Sequence, residues 1–174
     1  MLAPLRATEA RRAVKAATAA VLRDAATPLE RLRVYPPSLR IEKPARRGDA
    51  PRRLVRVLIR DREQRVFHDV SLDTSCEIVE HLLVEAERPP VMEEELREAT
   101  ELIRADKKLA PLLRRQRVEV EVISPAGDWS GRRIALRLSQ PTSAGEVRDL
   151  AVVEFDLDVG EIVATDVGGG ARSR

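Results

Sequence analysis

The chain has one cysteine, two histidines and four aromatic residues in 174 positions, and each shortage closes off a class of function. A lone Cys76 can make no disulfide within the chain, so a reducing compartment and a cytoplasmic location are the expectation. One cysteine and two histidines are too few for a structural zinc site. With only Tyr35, Phe67, Trp129 and Phe155 as aromatics, the core must be built from Leu, Val, Ile and Ala. The same shortage removes the stacking platforms that single-stranded nucleic acids need. No apolar run approaches the roughly 20 residues of a membrane helix, so no membrane association is expected.

What is present is charge, at 34% of residues, on a background that is 43% hydrophobic, as suits a globular protein. The net charge of +2 conceals an asymmetry. Residues 1–65 carry 17 Lys and Arg against 7 Asp and Glu, hence +10, while the rest carry 14 against 22, hence −8. A basic stretch of that kind meets either an acidic partner or acidic groups of its own chain. The second reading is the plainer one.

Read in order, Thr8 is a candidate N-cap for a helix over about residues 9–26, with Ala10, Val14, Ala17, Val21 and Ala25 on one face. Arg11-Arg12 ahead of AVKAATAAVL has the look of a twin-arginine leader, but Lys15 interrupts the apolar stretch and a helix fits better. Leu29–Ile41 contains Pro36-Pro37 and reads as an edge strand or irregular segment. After a loop over Lys43–Arg53, strands are expected at Arg53–Arg60, with Val55, Val57 and Ile59 on one face, at Arg65–Leu72 and at Cys76–Val84.

A second helix opens after Pro89-Pro90 with Glu93, Glu94 and Glu95, acidic groups that favour the positive end of a helix dipole. Its apolar stripe is Leu96, Ala99, Leu102 and Ile103, and it breaks near Ala105–Pro111. Val118, Val120 and Val122 alternate with Glu119 and Glu121 as a half-buried strand. A turn with Trp129 spans Pro125–Gly131, Ile134, Leu136 and Leu138 form an inward face, and Ser139–Glu146 reads as a loop. Leu150–Leu157 and Glu161–Asp166 are the last strands, followed by a flexible tail over 168–174. Gly168–Gly170 precede no helix, so they make no phosphate loop.

The two halves repeat this order. SLDTSCEIVE (Ser71–Glu80) aligns with DLDVGEIVA (Asp156–Ala164), placing Asp73 on Asp158, and the same offset of 85 brings Thr8-Glu9 onto Glu93-Glu94. The expected fold class is therefore α+β: two tandem cystatin-like units, 1–88 and 89–167, each one helix packed on about four antiparallel strands.

The residues also carry a family likeness. PPVMEEELREATELIRADKKLAPLLRRQ (89–116) resembles the start of the second cystatin-like domain of copper amine oxidases. PRRLVRVLIRDREQRVFHDVSLDTSCEIV (51–79) is similar to the hairpins before it, and PLRATEARRAVKAA (4–17) to the first helix of that pair. The likeness spans about residues 4–167, and Gln116 stands where the family tends to have glycine. It implies the non-catalytic N-terminal domain pair, without the large β-sandwich domain that carries the chemistry. That chemistry needs a tyrosine in an Asn-Tyr-acidic setting, an aspartate base, and a His-x-His pair with a third histidine for copper. Tyr35 lies between Val34 and Pro36, and His68 and His81 are the only histidines, so this chain alone is expected to have no catalytic residues, metal or cofactor.

Three residue sets remain. His68 and His81 could meet across strands and, with Asp69 or Cys76, hold a metal, although no close paired spacing marks such a site. Cys76 could serve as a nucleophile beside His81, but a small buried strand residue is the plainer reading. Arg46, Arg47, Arg52, Arg53, Arg56, Arg60, Arg62 and Arg65 are the candidate binding surface, able to contact phosphates or simply to face solvent. The resulting expectation is an accessory or protein-interaction module, contacting another protein or itself through the more apolar second half, at Val118–Ile123 and Leu150–Leu157. The alternatives are a piece of a split amine oxidase working with a separate catalytic chain, and an arginine-dependent nucleic-acid or polyanion binder.

Overall fold

In the computed structural model the described residues are 4–25, 27–44, 50–85, 87, 89–114, 117–123, 132–142 and 146–167, with the backbone of 171–172. Arg46, Arg47, Gln116, the Trp129 turn and Gly168–Gly170 lie outside them. The chain is α+β with two antiparallel sheets, and divides into two compact units, Met1–Pro89 and Pro90–Arg174.

The first unit opens with α1 (Ala7–Asp24). The helix starts earlier than the Thr8 reading implies, because Glu9 rather than Thr8 closes its first turn: the Arg6 amide donates to Glu9 Oε2 at 3.4 Å. Buried Ala13, Ala17, Ala20 and Val21 let it lie close on the sheet, where Val55, Val57, Ile59, Val70 and Leu72 complete an aliphatic core. The sheet runs β1 (Leu32–Val34) and β2 (Ser38–Glu42) along one edge of β3 (Arg52–Asp61), then β4 (Val66–Leu72) and β5 (Ile78–Val84). Pro36-Pro37 separates β1 from β2 because proline offers no N–H to the ladder, while the neighbouring Tyr35 amide still donates to the Leu58 carbonyl at 2.9 Å. β5 begins at Ile78 and not at Cys76, which sits in the preceding turn with φ +68°.

The second unit opens with α2 (Glu93–Ala105), which buries Glu95, Ala99 and Ile103. Asp106 turns extended and its Oδ1 accepts from the Lys108 and Leu109 amides at 2.7 and 2.9 Å, which breaks the helix and leads into α3 (Ala110–Leu113). Its sheet runs β6 (Glu119–Ile123), β7 (Arg133–Pro141) and β8 (Val147–Asp156), with β9 (Glu161–Asp166) and the short β10 (Ala171–Arg172) both along the far side of β8. Part of the expected tail thus pairs with the sheet.

Two strand readings change. β7 runs on through Ser139–Pro141, the first three residues of the expected loop, and β8 starts at Val147 rather than Leu150; residues 143–145 lie outside the described residues. Leu150–Leu157 is no contact surface either: β8 has neighbours on both sides, and Leu150, Ala151, Val153, Phe155 and Leu157 are buried in the unit's own core.

Candidate functional site

The alternation of β3 distributes the arginines over two faces of the first sheet. Arg53 shares the helix-facing side with Val55, Val57 and Ile59 and forms a two-armed ion pair with Glu9, including Nη2 to Oε2 at 3.0 Å; Nη2 also reaches the Pro4 carbonyl at 3.4 Å. That guanidinium holds the Glu9 carboxyl below its ordinary range. Arg56, on the other side, donates Nε to both Asp69 oxygens at 2.9 Å and Nη2 to Asp69 Oδ2 and Glu87 Oε1, each at 2.6 Å. Asp69 first, and then Glu87, raise the Arg56 pKa further above neutrality. Arg40 extends this face, reaching Ser71 Oγ at 3.1 Å and Glu80 Oε2 at 2.7 Å.

Arg60 is 1% exposed and lies with its guanidinium carbon 4.6 Å from the centre of the Phe67 ring, a cation–π contact inside the sheet. Arg52 and Arg65 are exposed and Arg62 is half-buried. The six arginines of the set that are described therefore do not form one outward patch. Arg53 and Arg56 answer acidic groups of their own unit; Arg56 reaches Asp69 and Glu87 of the acidic remainder, whereas Glu9, the partner of Arg53, belongs to the basic stretch itself.

His68 and His81 do meet. They project from adjacent strands on the helix-facing side of the sheet, with His68 Nδ1 and His81 Nε2 3.0 Å apart. His68 is 3% exposed. Its Nε2 faces Asp61 Oδ2 at 4.0 Å, and His81 Nδ1 faces Asp24 Oδ2 at 3.6 Å. Asp61 is itself fixed: Oδ1 accepts from the Glu63 and Gln64 amides at 2.9 and 2.8 Å, and Oδ2 from the Thr27 hydroxyl at 2.5 Å. Burial first, and then His81, hold the His68 pKa below its ordinary value. Neither expected co-ligand joins the pair. Asp69 is bound to Arg56, and Cys76 packs beside the first core in its turn. No cluster of three metal-ligating side chains occurs among the described residues.

A cleft of about 550 Å³ opens at the start of α1, lined by Arg6, Thr8, Arg12, Arg53, Thr74 and Cys76 among others. Arg12 Nη2 lies 3.5 Å from the Ser75 carbonyl at its edge. Glu9 and Arg53 also line it, and these two charges already answer each other.

No protein-family model matches this sequence, and no curated protein matches it. Functional residues must therefore be read from geometry.

The geometry adds groups that sequence reasoning passed over. Asp24 and Asp61, which bracket the histidines, carried no motif. Glu9 and Glu95 did carry a signal, since a glutamate at the third helical position is the reaching member of a capping box. The outer strands hold the remaining feature. On β5, Leu82 and Leu83 are 48% and 64% exposed, and on β6 Val120 and Val122 are each 42% exposed. Each strand has a single neighbour in its sheet among the described residues. No helix among the described residues is long and apolar enough to cross a membrane.

Proposed function

We propose that the chain is a non-catalytic contact module, built of two cystatin-like units related by duplication and akin to the N-terminal domain pair of copper amine oxidases. The duplication draws support from one motif in both units. Glu9 and Glu95 each occupy the third position of their helix and accept from the amide three residues earlier, Arg6 and Met92. Each glutamate then takes both arms of an arginine near the start of a central strand, Arg53 or Arg132. Each arginine also reaches a proline carbonyl before the helix, Pro4 or Pro90. This matches the helices at an offset of 86, one more than the alignment of Thr8-Glu9 with Glu93-Glu94 implied.

The observation that carries the functional reading is the exposed aliphatic side chains of each outer strand, Leu82 and Leu83 on opposite faces of β5 and Val120 and Val122 on one face of β6. An edge strand of this kind presents unpaired backbone groups beside apolar side chains, the combination by which another polypeptide adds to a sheet. The arginines favour this reading over polyanion binding, because Arg53 and Arg56 already answer carboxylates. Sizing of the tagged chain in native extract tests it. The chain should run as an assembly larger than a monomer, and Leu83→Lys with Val120→Lys should return it to monomer size. A monomer in extract that turns over a small molecule would overturn the proposal.

A further inference from the structure

We propose that His68 and His81 hold a single proton between them, and that this proton latches β5 onto the first sheet so that acid releases the strand. The Asp61 carboxylate is locked by two amides and the Thr27 hydroxyl, and one of its oxygens faces His68 Nε2. A carboxylate opposite a ring nitrogen favours the tautomer with its hydrogen on that nitrogen. His68 Nδ1 is then a lone pair, and the atom 3.0 Å away, His81 Nε2, must bring the hydrogen. His81 Nδ1, facing Asp24, is left to take the additional proton. One proton thus serves the run Asp61, His68, His81, Asp24, with a carboxylate facing each end; His68 Nε2 and Asp61 Oδ2, 4.0 Å apart, attract without a hydrogen bond.

A second proton cannot be accommodated. It would put hydrogens on both inner nitrogens and two cations in contact, one of them on a 3% exposed ring. Among the described residues, the charged groups facing His68 are Asp24 from α1, Asp61 from β3 and His81 from β5; Thr27 and Gln64 add neutral groups beside Asp61. The first sheet can relieve the repulsion at one place. β5 is its outer strand, bonded to β4 alone among the described residues, and carries His81 away when it lifts.

In the lifted state His68 meets water and titrates near the ordinary imidazole value of 6.5, whereas the closed state holds it lower. The lifted state therefore binds more protons below that pH, and lifting becomes up to about tenfold more favourable per pH unit until the closed-state pKa is reached.

Hydrogen exchange of the full chain, expressed as protection factors, reads this directly. Protection of the β5 amides should fall by up to about fivefold between pH 6.5 and 5.5 relative to β3 amides, and His68→Gln should abolish the fall. Equal protection at the two pH values, or an undiminished fall in His68→Gln, would overturn the proposal. Ring ¹⁵N shifts of the unmodified chain at pH 6 give a readout that needs no variant. His68 should carry hydrogen on Nε2 alone, the nitrogen that faces Asp61. A charged His68, or capture of both rings by one equivalent of added Zn²⁺, would also overturn it.

Discussion

Arg132 and Glu95 meet in the second unit as a buried two-armed ion pair, Nε on Oε1 at 2.9 Å and Nη2 on Oε2 at 2.7 Å. Glu95 also closes the first turn of α2 through the Met92 amide, and the Arg132 amide donates to Asp158 Oδ2 at 2.9 Å. The pair therefore ties helix start, central strand and hairpin turn together. Removing one partner strands the other charge in the core, so Glu95→Ala should cost about 3–5 kcal/mol in chemical denaturation. Arg132→Lys should fall short of wild type as well, since an ammonium cannot make the two-armed contact. A loss below 1 kcal/mol for Glu95→Ala would show that the pair does not hold the unit.

The helix faces make the second prediction. Ile103 is fully buried against the second core, while Glu94 lies exposed on the other side of α2. Ile103→Asp buries an unpaired charge and should cost several kcal/mol, whereas Glu94→Ala should stay within about 0.5 kcal/mol. Equal shifts in melting temperature for the two changes would contradict the packing described.

Backbone geometry makes the third. Gly160 turns the β8–β9 hairpin at φ +74°, and exposed Arg65 takes φ +59° in the β3–β4 turn. A side chain in this region costs about 1–2 kcal/mol, partly offset for glycine by its looser unfolded chain. Gly160→Ala should lower stability by about 1 kcal/mol, a purely conformational cost because its added Cβ would meet nothing within 4 Å. Arg65→Gly should raise stability by about 0.5–1 kcal/mol. Denaturant midpoints of opposite sign are the expected result, and shifts of the same sign would refute it.

Acid should weaken the first unit at a second place besides the histidines. Arg53 lowers the Glu9 pKa from its ordinary 4.5, so the folded chain holds this carboxylate charged where the unfolded chain would protonate it. That contribution is present in full above pH 4.5 and is lost as pH falls through the lowered folded value. A Glu9→Gln chain should show a shallower fall in melting temperature on acidification below pH 4.5 than the parent. Parallel curves for the two chains would contradict the assignment.

Much of this fold is legible in the sequence. Period-two alternation placed Val55, Val57 and Ile59, and Ile134, Leu136 and Leu138, on inward faces, and the prolines at 36 and 37 marked the broken edge. The start of α1 was misplaced because Thr8 is the stronger local cap, whereas Glu9 is held by Arg53, 44 residues away. Cys76 looked like a strand residue because nothing local announces a left-handed backbone at a non-glycine. β8 looked available because a strand buried between two neighbours and an apolar contact strand share one composition. The histidine site was half visible: the two rings could be paired, but Asp24 and Asp61 come from elements whose approach only the fold determines.

Outer strands that dock another polypeptide must hold it against Leu83 or Val122. A photo-crosslinking residue placed at Leu83, and separately at Val122, in the full chain tests this in extract from the native source. The account predicts one discrete polypeptide adduct from at least one of these positions, suppressed by excess unlabelled chain and absent when the crosslinker replaces exposed Glu94. Adducts that are equal at all three positions, or that form with nucleic acid instead of polypeptide, would contradict it.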